Sequence, residues 1–226
     1  MCGSFLLMAL YSDLLKYYSI DVDAIGAYEP GDFFPNKNAP IVIADGKRIL
    51  QSANWGFSRS GSSKPVINAR AETVMDKPMF KDSFFYRRCV VPANGFYEWK
   101  KEESGRKAKY QIGLKGEDLI SLGGLYKISK DENSRTKVTF VIITTEANDQ
   151  LKDIHHRMPL IVRKDQLDLW LNSSTPQKLI QGLLADNAYQ DAFVIEKVSK
   201  DNPIKEKPRD SKKGTSGKNP GQLSLF

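Results

Sequence analysis

The sequence predicts an α+β fold in which an antiparallel, barrel-like β-sheet forms the core and a few helices lie at its periphery. Many short segments rich in β-branched and aromatic residues are separated by turns containing Gly, Asn, Asp or Pro. Only a few segments have apolar residues at helical spacing. With 226 residues and no internal repeat, the chain is long enough to bury a substantial core around such a sheet.

The strands are predicted from runs of β-forming residues bounded by turn signals. Phe5-Leu6 opens the series and would carry the preceding Cys2 inwards, and Asp45-Gly46 is a strong hairpin turn. Asn94-Gly95 supplies turn chemistry between two further strands. The predicted strands are 5–6, 39–44, 48–50, 65–67, 89–92, 96–99, 109–114, 119–126, 137–144, 160–162 and 193–195. The Pro-, Gly- and Asn-rich residues 28–38 and the Ser- and Gly-rich residues up to Lys64 are predicted loops.

Helices are predicted where a cap or helical spacing is visible. Ser12-Asp13 is a candidate N-cap for a short helix that ends at Tyr17. Pro176 fits the first turn of another helix, in which Ile180 and Leu184 share one face. The remaining helical predictions are 80–88, 147–154 (helix or turn), 164–171 and 175–184.

Composition predicts a soluble intracellular chain that binds a polyanion. The net charge is +7, and the segment from Lys200 to Gly221 holds seven Lys or Arg against three acids. The two cysteines, Cys2 and Cys89, are expected to be free thiols in a reducing cytoplasm. Neither a secretory leader nor an apolar run of membrane-spanning length is present. We therefore expect a cytoplasmic, nucleoid-associated monomer with no membrane contact.

The chain divides into a folded domain and a tail. Residues 2–198 have ordinary globular composition, whereas residues 199–226 are rich in Lys, Pro, Ser, Gly and Asn. Such a segment cannot bury enough apolar surface to fold alone, so a disordered basic tail is predicted.

Cys2 is the first residue with a special chemical possibility. A small residue after Met1 permits removal of the initiator, and the chain would then begin with a cysteine. Its thiol and α-amine, on adjacent carbons, can both add to one aldehyde and close a five-membered thiazolidine ring. Both groups titrate close enough to neutrality to be partly available. A cysteine without function at a frayed end is the alternative on position alone.

Five local motifs share one pattern, and the first of them contains Cys2. They are Met1-Cys2-Gly3, Asn38-Ala39-Pro40, Asn68-Ala69-Arg70-Ala71-Glu72-Thr73, Pro92-Ala93-Asn94-Gly95-Phe96-Tyr97-Glu98-Trp99 and His155-His156-Arg157-Met158-Pro159. Over about residues 2 to 198 the sequence resembles the SRAP family (SOS response-associated peptidases, abasic-site processing proteins). The resemblance implies a covalent crosslink, in which the terminal cysteine traps the ring-opened aldehyde of an abasic site in single-stranded DNA as a thiazolidine. The resemblance also implies that the family is named a peptidase, and classed as a hydrolase, because its members remove their own Met1. Lyase activity at abasic sites stays open.

The resemblance assigns four catalytic residues. Cys2 would be the nucleophile, and Asn68 would hold the sugar or adduct by hydrogen bonds. Glu98 would transfer protons at the amine or the departing water, with a pKa raised by a partly apolar pocket. His155 would assist opening of the sugar ring, and His156 is the less likely catalyst. The alternatives are a surface carboxylate for Glu98, a turn residue for Asn68 and a structural histidine for His155.

Four residues are predicted to contact DNA. Arg70 and Arg157 suit phosphodiesters because a guanidinium presents a forked set of donors, although solvated surface arginine is the alternative. Trp99, and more weakly Pro40, would stack or wedge against bases beside the lesion. For Trp55 the core interpretation is favoured over stacking. Cys89 lies in an apolar strand and is predicted to be a buried structural thiol.

The sequence departs from the family pattern at Ser4. The family usually has an arginine there, so one phosphate contact would be lost or replaced by a residue such as Lys64 or Arg59. DNA affinity would then depend less on salt, by about one phosphate unit of slope.

The last five residues form a separate signal. Gln222, Leu223, Ser224, Leu225 and Phe226 resemble the pentapeptide that binds the bacterial sliding clamp. A glutamine and three apolar side chains at the end of a flexible tether are typical of a docking motif. A chance apolar terminus is the alternative.

Two other function classes fit parts of the sequence. A Met-Cys-Gly opening also resembles N-terminal-nucleophile amidohydrolases, although nothing after Gly3 continues their pattern. A non-catalytic single-stranded DNA-binding protein would need only the basic and aromatic residues.

The sequence contains no metal-ligand cluster and no phosphate-cradling glycine loop, so no metal and no cofactor are expected.

Overall fold

A barrel of five strands forms the centre of the computed structural model, which describes residues 2–185 and 193–199. The helices are α1 (Tyr11–Tyr17), α2 (Lys81–Tyr86), α3 (Leu167–Leu171) and α4 (Gln177–Ala185), with 3-10 turns at Ala71–Thr73 and Lys164–Gln166. The strands are β1 (Phe5–Leu7), β2 (Val22–Asp23), β3 (Gly31–Phe33), β4 (Asn38–Ala44), β5 (Arg48–Trp55), β6 (Phe57–Arg59), β7 (Ser62–Val66), β8 (Asn68–Arg70), β9 (Arg88–Ala93), β10 (Gly95–Lys101), β11 (Lys107–Leu114), β12 (Ile120–Lys130), β13 (Thr136–Glu146), β14 (Arg157–Pro159), β15 (Ile161–Val162) and β16 (Phe193–Lys197).

The barrel closes through one parallel contact. Strands β13, β12, β9, β4 and β5 are joined in that order by antiparallel ladders. The ring is completed where β5 runs parallel to β13, with Asn54 opposite Thr139 and Trp55 opposite Phe140. Closure satisfies strand edges that would otherwise be left unpaired. The predicted α+β class with an antiparallel, barrel-like core is confirmed.

A second sheet, in the order β16-β11-β10-β1-β3, carries the start of the chain. Strand β9 leaves the barrel at Ala93, and the chain continues as β10 of this sheet at Gly95. The predicted Asn94-Gly95 turn is therefore a bend between two sheets. A side chain at Gly95 would bring its Cβ within 2.7 Å of the Ile112 carbonyl oxygen, so this close approach requires glycine.

An aromatic column joins the two sheets. The Phe5 ring stacks on Phe33 with centroids 5.1 Å apart and lies 5.4 Å from Trp55, which stacks in turn on Phe140 at 5.8 Å. Phe5, Trp55 and Phe140 are fully buried. Offset aromatic contacts of this kind add to the gain from burial. The core interpretations of Trp55 and of Cys89, which is also fully buried, are confirmed.

Arg88 ties the peripheral helices to the barrel. Its guanidinium is buried and donates to the carbonyl oxygens of Phe84, Phe85, Trp170 and Asn172 at 2.5–2.7 Å. Burial lowers its pKa to about 10. The four carbonyls lie at or just beyond the C-terminal ends of α2 and α3, where helical carbonyls need donors and a cation is favoured.

Several local predictions were wrong. The predicted loop 28–38 contains β3, whose Gly31 pairs with Leu7, and the Ser- and Gly-rich segment forms the β6–β7 hairpin. Helix α1 begins at Tyr11 without a side-chain cap, so Ser12-Asp13 lies inside it. The prediction of a helix or turn at residues 147–154 is, in contrast, confirmed, because turns form there. These short elements depend on tertiary partners that local sequence does not reveal.

Within the described residues, no helix is long and apolar enough to cross a bilayer. Met1 and the predicted tail from Lys200 onward, including the motif Gln222–Phe226, lie outside the described residues.

Candidate active site

Cys2 is buried at the entry to β1. It is fully shielded from solvent, and its thiol lies 3.8 Å from the Ser4 carbonyl oxygen, to which it can donate. The same carbonyl accepts the backbone N–H of Tyr97 at 3.0 Å, which couples the start of the chain to β10. Burial, with the nearby charge of Glu98, raises the pKa of the Cys2 thiol well above its ordinary value. The thiol therefore stays protonated at neutral pH.

Glu98 provides a buried carboxyl next to this thiol. It lies in β10 and is 3 % exposed. Burial raises the pKa of its carboxyl, in the direction expected from the sequence. Such a group holds its proton at a higher pH than a surface glutamate and can serve as a proton donor or acceptor near neutrality.

Asn68 connects β8 to the start of the chain. Its Nδ2 donates to the Cys2 carbonyl oxygen at 3.0 Å, a contact between residues far apart in sequence. Its Oδ1 is buried and has no hydrogen-bond partner among the described residues. A buried acceptor in this state is costly unless something binds it, so this oxygen is suited to a ligand hydroxyl.

His155 is half-buried in the turn before β14. Its Nδ1 lies 3.0 Å from the Arg157 backbone nitrogen, from which it accepts a hydrogen bond, and 3.2 Å from the Arg157 carbonyl oxygen. Burial lowers the pKa of the ring, so the neutral form is favoured. In that form Nδ1 is the acceptor and the proton sits on Nε2.

Arg70 and Trp99 remain accessible at the rim. Arg70 is exposed at the end of β8, and Trp99 is 38 % exposed on β10, the neighbour of Glu98 in sequence. Both therefore present surface that DNA could contact.

The structure corrects the placement of two predicted DNA-contacting residues. Pro40 is a buried residue of β4, where it pairs with Ser52, and not part of a loop. Arg157 is only 7 % exposed, and its guanidinium donates to both carboxylate oxygens of Glu72, at 2.8 and 3.0 Å, and to the carbonyl oxygen of Thr144. In this arrangement Arg157 holds the site together instead of facing solvent.

Sequence reasoning missed two supporting residues. Glu72 was visible inside its motif, yet its role as the partner of Arg157 depends on the fold. Lys109 lies 3.5 Å from the centroid of the Tyr97 ring and 6.0 Å from that of Trp99, and it pairs with Asp32 at 3.5 Å. The cluster around Lys109 draws on three strands, β3, β10 and β11, so no local signal in the sequence could have indicated it.

The end of β13 brings the predicted residues together. Its residues Ile142–Thr144 pair with β8, which carries Asn68 and Arg70, and its residues Thr144–Glu146 pair with β14, which begins at Arg157. In the part of the chain that is described, no group of three or more His, Cys, Asp and Glu side chains is arranged to hold a metal ion. The arrangement supplies a thiol, an acid, an amide and an imidazole.

Comparison with known proteins gives consistent matches. The family model for "SOS response associated peptidase (SRAP)" matches residues 1–202. The chain is 36% identical over 193 residues to "Abasic site processing protein YoaM" of Bacillus subtilis, covering 81% of this chain and 85% of that protein. It is 26% identical to "Abasic site processing protein YedK" of Escherichia coli, covering 79% and 82%. A crystal structure of a Bacteroides thetaiotaomicron protein matches with a TM-score of 0.76 and 26% identity, covering 88% of this chain and 93% of that one.

The Glu72–Arg157 pair predicts a pH-dependent stability. Arg157 lowers the pKa of the Glu72 carboxyl, so the pair stabilises the fold above the ordinary carboxyl pKa and stops doing so as pH falls through the depressed value. Replacing Glu72→Gln should lower the melting temperature at pH 7 and have a smaller effect at acid pH, as measured by calorimetry. The matched control is Glu103→Gln, at an exposed position. An equal deficit at both pH values would contradict this role.

Proposed function

This chain belongs to the SOS response associated peptidase (SRAP) family, and on that premise we propose that it captures abasic sites in single-stranded DNA through a covalent bond to Cys2. The names of its relatives, abasic site processing proteins, support that class of lesion. The observation that carries the proposal is the hydrogen bond from Asn68 to the Cys2 carbonyl oxygen, beside the buried carboxyl of Glu98.

Removal of Met1 activates the protein. While Met1 precedes it, the nitrogen of Cys2 is an amide and not a nucleophile. Hydrolysis of the Met1–Cys2 peptide bond consumes one water and leaves a free α-amine next to the thiol. This reaction accounts for the peptidase name of the family without requiring an external peptide substrate.

Capture of the lesion proceeds in two additions. The α-amine of Cys2 adds to the aldehyde carbon to give a carbinolamine, which loses one water to form an imine. The sulfur then bonds to the same carbon while the thiol proton goes to the imine nitrogen, which closes the thiazolidine ring. One water is released overall, and no oxidant or cofactor is consumed. A thiol that stays protonated is compatible with this order because the amine attacks first.

Glu98 and His155 serve the proton transfers. Protonated Glu98 donates to the departing hydroxyl of the carbinolamine, and its raised pKa keeps that proton available. The neutral His155 ring donates a hydrogen bond from Nε2 to the sugar ring oxygen as the closed hemiacetal opens. The proton released by the anomeric hydroxyl ends on that ring oxygen, so His155 stays neutral. Oδ1 of Asn68 accepts a sugar hydroxyl.

The rim residues hold the strand that carries the lesion. Arg70 binds a phosphate and Trp99 stacks against an adjacent base. Ser4, where the family usually has an arginine, is buried and uncharged, so it offers no cation to a phosphate. DNA affinity should therefore depend on fewer phosphates than in relatives with that arginine.

The Cys2 crosslink is directly testable. Incubation with single-stranded DNA containing one abasic site should give a product that survives denaturation and migrates as protein plus DNA. Cys2→Ala, or one extra residue retained before Cys2, should abolish it because either the thiol or the free amine is lost. Cys89→Ala, which changes the buried thiol of the barrel, is the matched control and should still crosslink.

Other outcomes of the same experiment would select a different function. Glutamine hydrolysis without a crosslink would indicate an N-terminal-nucleophile amidohydrolase. Salt-sensitive DNA binding without a crosslink would indicate a non-catalytic binding protein. Either result with the processed wild-type protein would overturn the proposal.

Glu98 gives a second prediction. Glu98→Gln preserves the shape of the side chain and removes its titrating proton, so the crosslinking rate should fall by about 100-fold. In the wild type the rate should decline as pH rises through the raised pKa of Glu98, and this decline should be absent in the variant. Single-turnover rates between pH 5 and 9 measure both effects. Glu103→Gln serves as the control, and an unchanged rate in Glu98→Gln would remove Glu98 from its role.

The C-terminal motif suggests how the protein reaches its substrate. We propose that Gln222–Phe226 binds the bacterial sliding clamp and brings the protein to replication forks. Deleting these five residues should abolish binding to purified clamp in surface plasmon resonance and leave crosslinking to free oligonucleotides unchanged. A variant with the same five residues in scrambled order controls for length and composition. Retained clamp binding in both variants would contradict the assignment.

A further inference from the structure

His156 forms a stacked pair with the proposed catalytic residue His155. The two rings are 4.4 Å apart between centroids and inclined by 25°. His155 is half-buried, whereas His156 is exposed, so the outer ring covers one face of the inner ring. From the sequence motif, His156 is the less likely catalyst, because the histidine of the family pattern lies two places before the arginine, at His155.

The backbone holds both rings in a fixed turn. The His155 N–H donates to the Leu151 carbonyl oxygen at 3.0 Å, and the His156 carbonyl oxygen accepts the Ala147 N–H at 3.1 Å. The Arg157 N–H donates to Nδ1 of His155. The inner ring is therefore fixed at one nitrogen, and the stacked ring restricts rotation about its remaining torsion.

The charges around the pair oppose a second positive charge. Arg157 acts on both rings and Arg70 acts on His156, and each arginine disfavours a positive charge on the imidazole. The charges of Glu98 and His156 also interact, with the opposite sign. Burial of His155 and partial loss of hydration at His156 are the first causes of their lowered pKa values, and His155 adds to the effect on His156. Two stacked imidazoles repel each other when both are protonated.

We propose that His156 is a positioning residue of the site, whose ring fixes the orientation of His155 and keeps it neutral with its proton on Nε2. The proposal rests on the proposed function, since it concerns how His155 donates to the sugar ring oxygen. It assigns to His156 an effect that acts through His155 and not through contact with the reacting atoms.

Two substitutions separate orientation from charge. His156→Phe keeps a flat ring over His155 and removes the titrating group, and His156→Ala removes both. Because the sequence contains two histidines, each variant retains a single imidazole, and its NMR titration reports His155 alone. Lys152→Gln is the control, because it removes an exposed positive charge from the same turn.

The expected results differ between the variants. The titration midpoint of His155 should rise in both histidine variants and stay unchanged in Lys152→Gln. The acid limb of the crosslinking rate should move to higher pH by the same amount. The maximal rate should be retained in His156→Phe and fall by about tenfold in His156→Ala, because only the latter frees the inner ring.

Failure of this inference is distinguishable from failure of the proposed function. Wild-type crosslinking with the same His155 midpoint and the same rates in all variants would overturn the role of His156 alone. Absence of a crosslink in processed wild type would overturn the proposed function. In that case the NMR titration would still decide whether His156 controls the protonation of His155.

Discussion

The position of β1 inside the second sheet is the constraint on which the candidate site depends. Chain ends usually fray, but here the first strand pairs with β10 on one side and β3 on the other. Phe5 fixes the strand by packing between Phe33 and Trp55. As a result Cys2, three residues earlier, is held fully buried against the Ser4 carbonyl and Asn68 instead of moving in solvent.

The barrel supplies the other half of the site through the end of β13. That strand pairs with β8 along one edge and β14 along the other, so the Asn68 and His155 motifs meet although they are far apart in sequence. The Glu72–Arg157 pair joins the turn that follows β8 to the first residue of β14. A buried guanidinium of this kind needs its carboxylate, because the desolvation of an unpaired charge would be costly.

The electrostatics of the site shift three groups towards their neutral forms. Burial raises the pKa values of the Cys2 thiol and the Glu98 carboxyl and lowers that of His155. Because the charged form of each group is disfavoured, each group can take part in proton transfer without a strongly stabilised charge having to be neutralised first. Such a set suits chemistry in which an amine adds to a carbonyl and water departs, since that sequence requires donors more than a preformed thiolate.

The sequence by itself determined the fold class and the motifs on which the resemblance to the SRAP family rests. Short β-forming segments separated by turns predicted the barrel-like sheet, and Cys2, Asn68, Glu98 and His155 stood out because they lie in the motifs that resemble the SRAP family. Tertiary structure alone decided which of the predicted DNA contacts are accessible. Pro40 is buried by the ladder between β4 and β5, and Arg157 by its pairing with Glu72. The role proposed for His156 likewise depends on a ring contact in space. Local sequence encodes residue type and periodicity, whereas burial and pairing arise from contacts between distant segments.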